Sequence, residues 1–237
     1  MTVYLVLLLL GAYLLGSVPA AYLAARWSRG IDIRQYGSGN IGVSNLWRST
    51  SKWLTMPVII FDFGKGMPLV WIAQLLGLGI DQQVAIGLAA IIGHNWPLFL
   101  RFSGGRGLLT TLGVAFALPP VNGLVPWEAI TAVVIVVIGT FIIHNSPIGV
   151  GAAVASASLI SWAFDKPLPM TLGFLAMFLI AIIRRLTAPK TSFTPSVPLR
   201  QLLLNRLLFD RDIRDSKAWL QRQPPKSEEN KGAKPAK

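Results

Sequence analysis

Seven apolar stretches follow one another along the chain, separated by short polar connections. Most are long enough to cross the hydrocarbon core of a bilayer as a helix. We therefore predict an all-α integral membrane protein with about seven transmembrane helices. The predicted spans are residues 3–25, 53–79, 84–100, 108–121, 128–144, 147–164 and 168–186.

The first apolar stretch is interrupted by Gly16, Ser17 and Pro19. Small residues allow close helix packing, and a proline inside a helix introduces a kink. Packing alone is the simpler interpretation of these three residues. The stretch is not expected to be a cleaved signal peptide, because no basic region precedes it and basic residues follow it.

The composition supports the membrane assignment and excludes several kinds of site. Hydrophobic residues make up 53% of the chain and charged residues only 14%, whereas soluble domains carry about a quarter charged residues. There is no cysteine, which excludes disulfides, thiolate metal sites and cysteine nucleophiles. With His94 and His144 as the two histidines, we expect no metal site.

The net charge of +12 is concentrated in two regions, from Arg26 to Lys52 and from Arg184 to the C-terminus. A basic chain can bind nucleic acid, but positive residues also mark the cytoplasmic side of membrane proteins and attract anionic lipid. We favour the membrane explanation and predict no nucleic-acid partner. This distribution places the N-terminus outside and the C-terminus in the cytoplasm.

The first basic connection contains the segment GSGNIGVSNLWR, residues 37–48. Glycines let a backbone approach a ligand closely, and hydroxyl, amide and guanidinium groups add hydrogen-bond donors. This inventory suits a phosphate, although the Walker spacing of a P-loop is absent. The candidate donors are Ser38, Asn40, Ser44, Asn45 and Arg48.

The second predicted span carries Asp62 and Lys65 within the segment DFGKG, residues 62–66. In a straight helix Lys65 would lie about 18 Å from Trp53, near the middle of the membrane. An ionisable residue at that depth is costly unless it is paired or hydrated, which favours a functional role. The alternative is a structural ion pair between Asp62 and Lys65.

The third span and the connection after it contain GHNWPLFLRFSGGRG, residues 93–107. Gly104, Gly105 and Arg106 form a second candidate cradle for an anion on the predicted cytoplasmic side. His94 is either a general base or a residue that orders the loop.

The membrane domain is predicted to span residues 1–186, and residues 187–237 to form a basic cytoplasmic tail that is partly disordered. Residues 202–220 have the composition of a basic amphipathic helix, which would lie on anionic lipid. The last residues, 223–237, are predicted to be disordered.

The three motifs, in this order and spacing, resemble those of the acyl-phosphate-dependent glycerol-3-phosphate acyltransferases of bacterial inner membranes, the PlsY family. That family carries GSGNxGxTNxxR, DxxKG and GHxxPxxxxFxGGKG. Here Ser44 replaces a threonine and Arg106 a lysine. The family's HRxNIxRL-like C-terminal motif is not present, and Arg184-Arg185-Leu186 is its nearest remnant. These departures leave open a divergent paralogue with another acceptor.

The resemblance implies a seven-helix enzyme of the bacterial inner membrane with no cofactor and a cytoplasmic active site. It would move an acyl group from acyl phosphate, supplied by another enzyme, to the 1-hydroxyl of glycerol 3-phosphate. The products would be lysophosphatidic acid and phosphate. It assigns catalytic roles to Lys65, Arg48, His94 and Arg106, and phosphate binding to the remaining motif residues, Ser38, Asn40, Ser44, Asn45, Gly104 and Gly105.

Two other functions fit parts of the sequence. A transporter of a phosphorylated metabolite can also have broken helices and an intramembrane lysine. A non-catalytic protein that binds anionic lipid through its tail would not depend on Arg48 or Lys65. Because the three motifs are predicted on one face of the membrane, the enzyme is favoured over both.

Overall fold

The computed structural model describes residues 2–191 and 194–221, and throughout these ranges the regular elements are helices. Short 3-10 turns occur at Ile33–Gln35, Leu98–Leu100 and Thr194–Ser196. The α-helices are α1 (Thr2–Ser17), α2 (Ala20–Arg29), α3 (Val43–Ser49), α4 (Lys52–Gly64), α5 (Pro68–Leu75), α6 (Ile80–Asn95), α7 (Leu108–Val121), α8 (Trp127–Phe141), α9 (Ser146–Ala163), α10 (Leu168–Leu186), α11 (Leu199–Phe209) and α12 (Ser216–Leu220).

The prediction of an all-helical, multi-span membrane protein is confirmed in its coarser form. In the described part of the chain, five helical segments are long and apolar enough to cross a membrane. They are Thr2–Arg29, Lys52–Leu75, Ile80–Leu100, Ser146–Ala163 and Leu168–Leu186. Two further predicted spans correspond to α7 and α8, which are apolar but only 14 and 15 residues long.

Helix α6 lies at the centre of the bundle. It packs against α1, α5, α7 and α10. In the segment Ile80–Leu100, which contains α6, 61% of the most apolar 18 residues are buried. In the other four long segments the corresponding share is 22–33%. The end of this helix carries His94 and Asn95, so the central position of α6 fixes where these side chains lie.

The first span is broken where the sequence predicted a kink. Helix α1 ends at Ser17 and α2 begins at Ala20, with Val18 and Pro19 between them. Proline has no N–H to donate and its ring clashes with the preceding turn. The break leaves backbone groups free to interact with side chains from other helices.

Two glycines bring this break against α6. A Cβ on Gly16 would collide with the carbonyl of Ala90, and one on Gly93 would collide with the carbonyl of Tyr13. The backbones of α1 and α6 therefore touch, as small residues permit between membrane helices. The packing role predicted for Gly16 agrees with this contact.

The second span is also broken, at Lys65. The Ser51 side chain caps α4 by accepting from the backbone N–H of Leu54, and the helix ends at Gly64. Helix α5 restarts at Pro68, a residue suited to the first turn of a helix. Lys65 therefore lies at a break, and the depth expected from a straight helix does not apply.

Residues 194–221, which we name the C-terminal strap, fold against the end of α10. Arg185 donates to the carbonyl of Leu207 at 2.7 Å, and Arg206 donates to the carbonyl of Leu186 at 3.0 Å. This differs from the expected single amphipathic helix over 202–220, because α11 ends at Phe209 and α12 starts only at Ser216. The segment predicted to be disordered, 223–237, lies outside the described residues.

A buried ion pair holds the strap together. Arg206 Nε lies 2.7 Å from Asp212 Oδ1, and both side chains are almost completely buried. Thr191 and Thr194 donate to the other carboxylate oxygen. Burial opposes ionisation of Asp212, but hydrogen bonds from Arg206 and the two threonines outweigh it and lower its pKa.

The contact between α1 and α6 can be tested with two glycine-to-alanine changes on the same helix. Gly16→Ala places a methyl group against the backbone of Ala90, whereas Gly11→Ala meets only the end of the Leu69 side chain at 3.4 Å. We expect Gly16→Ala to cost about 1–3 kcal/mol and to lower the melting temperature in detergent. Gly11→Ala should melt like the wild type, and equal melting of both variants would contradict the contact.

Candidate active site

A small crevice of about 10 Å³ lies where the two helix breaks and the end of α6 meet the loop that contains Gly104 and Gly105. We call this loop the glycine-rich loop. All three sequence motifs reach it, through Ile41 from the first, Asp62 from the second, and His94, Gly104 and Gly105 from the third. Ser17 to Ala21, around the break of the first span, complete one wall. Segments far apart in sequence are therefore brought to one place.

Asp62, Lys65 and His94 form a polar cluster beside this crevice. Lys65 Nζ lies 2.8 Å from Asp62 Oδ1, and their side chains are 1% and 3% exposed. Lys65 also donates to the carbonyl of Val18 at 3.2 Å, which ties the break of the second span to that of the first. His94 Nδ1 lies 3.7 Å from the same oxygen of Asp62.

This cluster contains the ion pair that the sequence left as an alternative to a functional lysine. Asp62 lines the crevice, whereas Lys65 lies behind it. An ammonium group has three N–H donors. Lys65 directs one at Val18 and faces Asp62 with another, so a third donor remains.

The glycine-rich loop is held from both sides. The N–H of Gly105 donates to the carbonyl of His94 at 3.2 Å. A Cβ on Gly105 would collide with His94 Nε2 and with the carbonyl of Ile41, so only glycine allows the imidazole and the first motif to lie this close. His94 therefore orders the loop, as one of its two predicted roles requires.

Arg184, near the end of α10, binds the carbonyl side of the same loop. Its Nε donates to Gly105 at 2.8 Å and its Nη2 to Gly104 at 2.5 Å. The guanidinium also lies 5.8 Å from the ring centroid of Trp96. The loop carbonyls thus face Arg184, and this buried arginine fixes the position of the loop backbone.

Arg106 follows these glycines and makes contacts with two other elements. Its Nε lies 2.7 Å from Asp210 Oδ1, and its Nη1 donates to the carbonyl of Arg184 at 3.2 Å. The Arg106 side chain is 20% exposed. It is therefore held in place at Nε and Nη1, and its side chain is not completely buried.

The first motif is ordered from within by Asn45, whose residue is 1% exposed. Its amide nitrogen lies 3.0–3.1 Å from the carbonyls of Ile33, Tyr36 and Asn40, which share its two N–H donors. Its oxygen accepts from the N–H of Ser38 at 3.1 Å. The side chain of Asn45 is fully used in shaping the loop.

The other polar residues of the first motif lie nearer the surface. Ser38 and Asn40 are partly exposed, and Ser44 and Arg48 are exposed on the short helix α3. Among the described residues, the partner of the Arg48 guanidinium is the carbonyl of Ser44, at 3.4 Å. Of the predicted site residues, His94, Gly104 and Gly105 line the crevice, and Lys65 pairs with Asp62 in its wall. The predicted residues outside this lining are Ser38, Asn40, Ser44, Asn45, Arg48 and Arg106.

An apolar cavity of about 220 Å³ lies between α7, α8, α9 and α10. On α7 its lining begins at Leu108, two residues after Arg106. On α10 it is lined by Phe174 and Met177, which precede Arg184 in the chain. Glu128 lies in its wall, is 0% exposed, and has no hydrogen-bond partner for either carboxylate oxygen among the described residues. The cavity thus lies among apolar side chains of four helices, with Glu128 as the charged residue in its lining.

The family model described as "Glycerol-3-phosphate acyltransferase" matches residues 6–190. The chain belongs to the glycerol-3-phosphate acyltransferase family. Two relatives from Dehalococcoides mccartyi match it over 97% of its length and 98% of theirs. Glycerol-3-phosphate acyltransferase 5 of strain ATCC BAA-2266 is 39% identical, and glycerol-3-phosphate acyltransferase 4 of strain CBDB1 is 41% identical.

The fold is also that of a solved member of this family. Crystal structures of PlsY, an integral membrane glycerol 3-phosphate acyltransferase, match in its glycerol 3-phosphate form and its lysophosphatidic acid form. The first has a TM-score of 0.69 at 30% identity and covers 89% of this chain and 95% of its own. The family resemblance drawn from the motifs is thereby confirmed.

Three residues that were not among the predicted site residues contact the site. Asp62 was expected only as the partner of Lys65, Arg184 only as part of a motif remnant, and Asp210 was not expected at all. A charged residue at the end of an apolar span, as at Arg184, is a usable sequence signal. Asp210 lies in a polar segment and has no such signal.

The ordering role of Asn45 can be tested by hydrogen exchange. Asn45→Asp keeps the acceptor for Ser38 but loses the donors to three carbonyls, and Asn45→Ala loses both. We expect faster exchange of amides in residues 33–42 for both variants, with Asn45→Ala affected more at Ser38. Amides in the middle of α6 serve as the control, and unchanged exchange in the loop would contradict this role.

Proposed function

We propose that this protein transfers a fatty acyl group from acyl phosphate to the 1-hydroxyl of glycerol 3-phosphate. The observation that carries this proposal is the convergence of all three motifs on one crevice, in a chain that also has an apolar cavity starting at Leu108, just after the third motif. A site for this reaction must hold two phosphate groups and one acyl chain. Membership of the glycerol-3-phosphate acyltransferase family supports the same assignment.

The phosphate groups are proposed to bind where the two glycine-containing loops meet. Arg106 offers Nη2 of its guanidinium, and Ser38 and Asn40 lie partly exposed on the neighbouring loop. Charge-assisted hydrogen bonds from arginine to phosphate are among the strongest in proteins. Ser44 and Arg48 would supply donors at the outer rim, and Gly104, Gly105 and Asn45 would shape the loops.

Lys65 is proposed to act through its third N–H donor. It would neutralise charge on the acyl phosphate or on the developing oxyanion, next to Asp62 and His94. Holding Val18 and Asp62 at the same time fixes the ammonium group before substrate arrives. Such prior organisation is what makes an electrostatic contribution effective.

The chemistry needs no covalent enzyme intermediate, because acyl phosphate is already activated. The 1-hydroxyl oxygen of glycerol 3-phosphate attacks the acyl carbonyl carbon. The new ester C–O bond forms, the bond from the acyl carbon to the phosphate oxygen breaks, and inorganic phosphate leaves. The hydroxyl proton passes either to His94 or to the phosphate of the acceptor.

The acyl chain is proposed to lie in the cavity between α7 and α10. Its lining is almost entirely aliphatic and aromatic, with Glu128 as the charged exception. Apolar pockets with a few polar groups at one end are typical of sites for amphipathic ligands. The reacting carbonyl would then lie near Arg106, where the cavity begins.

For the membrane arrangement we propose seven crossings, with α7 and α8 as the two short ones. The N-terminus is proposed to lie outside, and both the site and the strap on the cytoplasmic side of the bacterial inner membrane. The positive-inside rule supports this orientation. Anionic lipid would contact the basic tail, and an acyl-phosphate-forming enzyme would supply the donor.

The proposal can be tested with purified protein, palmitoyl phosphate and glycerol 3-phosphate. Phosphate release and lysophosphatidic acid should rise together for the wild type. Lys65→Met, which keeps the length of the side chain, should lower kcat about 100-fold or more, by loss of one charged donor. Lys166→Met removes a lysine remote from the site and should leave the rate unchanged.

Folding of both variants is checked by gel filtration and melting temperature, so that a misfolded Lys65→Met is recognised. Full activity of a folded Lys65→Met would contradict the role of the lysine. Failure of the wild type to form lysophosphatidic acid would contradict the function. Uptake of glycerol 3-phosphate into proteoliposomes without acyl transfer would favour a transporter instead.

The acyl cavity has a test of its own on helix α9. Ala153 lines the cavity and is 1% exposed, whereas the neighbouring Ala152 is exposed. Ala153→Leu should lower the ratio of kcat/KM for palmitoyl over decanoyl phosphate about tenfold, because a filled pocket excludes methylene groups. Ala152→Leu is the matched control, and equal ratios in both variants would place the chain elsewhere.

A further inference from the structure

The C-terminal strap places a carboxylate on the arginine of the third motif. Asp210 Oδ1 and Oδ2 lie 2.7 and 3.0 Å from Arg106 Nε, although the two residues are 104 positions apart. The two side chains are 20% and 23% exposed, so neither is free in solvent. The family model ends at residue 190, so Asp210 comes from a segment outside it.

In the described part of the chain, Asp210 and Arg184 each take one nitrogen of the Arg106 guanidinium and leave an open edge only at the third, Nη2. Asp210 takes Nε of Arg106, and the carbonyl of Arg184 takes Nη1. Among the described residues, Nη2 has no hydrogen-bond partner. An anion can therefore bind Arg106 through Nη2 while Asp210 holds Nε, as a charge-assisted hydrogen bond.

We propose that Asp210 is a positioning residue for phosphate binding, which acts by orienting Arg106. It fixes the guanidinium so that its open edge meets the phosphate of a substrate. This inference rests on the proposed function for the identity of that substrate. The C-terminal strap then contributes to phosphate binding through Asp210.

The backbone around Asp210 is built to present its carboxylate. Asp210 ends α11 in the left-handed conformation, with φ 54° and ψ 39°, and its N–H donates to the carbonyl of Arg206. Aspartate and asparagine tolerate this conformation better than most residues. The carboxylate therefore emerges from a fixed turn at the end of a helix.

That turn is anchored on both sides. Before it, Leu207 accepts from Arg185 and Arg206 donates to Leu186. After it, Asp212 pairs with Arg206 at 2.7 Å. These bonds join the turn to the end of α10, the same helix whose Arg184 holds the glycine-rich loop. The end of α10 thus positions both Asp210 and Arg106.

Charge gives Asp210 a second effect at the same place. Arg106 and Arg184 repel each other, and Asp210 attracts both Arg184 and Arg185. Removing its charge would leave three neighbouring arginines without this compensation. Arg106 would then keep only its bond to the carbonyl of Arg184, and repulsion by the neighbouring arginines would favour its rotation toward solvent.

The test compares Asp210→Asn with Asp215→Asn in the full-length protein. Asparagine keeps the shape and the left-handed turn at 210 but loses the charge that holds Arg106. Asp215 caps α12 in the same strap, and asparagine caps a helix equally well. We expect Asp210→Asn to raise KM for one phosphate substrate about tenfold, with a smaller change in kcat, and Asp215→Asn to match the wild type.

A double-mutant cycle with Arg106→Ala shows whether Asp210 acts through the arginine. In the Arg106→Ala background, Asp210→Asn should have no further effect on KM, and Asp210→Glu in the wild type should restore part of the affinity. Equal effects in both backgrounds would overturn the inference. So would unchanged kinetics of Asp210→Asn, or a lowered KM, which would make Asp210 an inhibitor.

Calorimetric binding of inorganic phosphate gives a readout that does not depend on turnover. Asp210→Asn should weaken phosphate binding about tenfold, and it should not weaken it further in Arg106→Ala. If the wild type binds phosphate in this way but forms no lysophosphatidic acid, the proposed function fails and the positioning role stands. If the wild type is active and Asp210→Asn binds phosphate normally, only the positioning role fails.

Discussion

The buried ion pair between Asp62 and Lys65 constrains the site more than any other interaction. A single charge at this place would cost several kcal/mol, and removing one partner of a buried pair leaves the other uncompensated. The pair is satisfied only because two spans are broken beside it. Lys65 stands at the break of one and donates to the carbonyl of Val18 at the break of the other. The ion pair, the two breaks and the crevice between them therefore depend on one another.

Helix α6 connects this ion pair to the glycine-rich loop, because its last turn carries His94. Gly93 on α6 and Gly16 on α1 let the two helices approach so closely that the break of the first span meets His94. His94 then packs on Gly105, while Arg184 holds the carbonyls of Gly104 and Gly105. The backbone of the loop is thus fixed by contacts with two other side chains. A rigid support of this kind is what a preorganised site requires.

Much of this architecture could be predicted from the sequence, since the period and length of apolar segments reflect the thickness of the bilayer. The kink at Pro19, the pairing of Asp62 with Lys65 and the closeness of the three motifs all followed from local chemistry. The break at Lys65 was missed because Gly64 and Gly66 were taken as part of a straight helix. The internal use of Asn45 and the contact of Asp210 with Arg106 depend on tertiary packing. No local pattern around residue 45 or residue 210 indicates which atoms will meet them.

The most direct test of the account is a structure of the protein with an acyl phosphonate, whose P–C bond cannot be cleaved by transfer, together with glycerol 3-phosphate. The account predicts that the phosphonate lies between the Gly104–Gly105 loop and Arg106, close to His94 and Lys65. It also predicts that the acyl chain enters the cavity between α7 and α10. A phosphonate bound away from the crevice, or a chain that leaves this cavity empty, would contradict the claim that the three motifs form one acyl-transfer site.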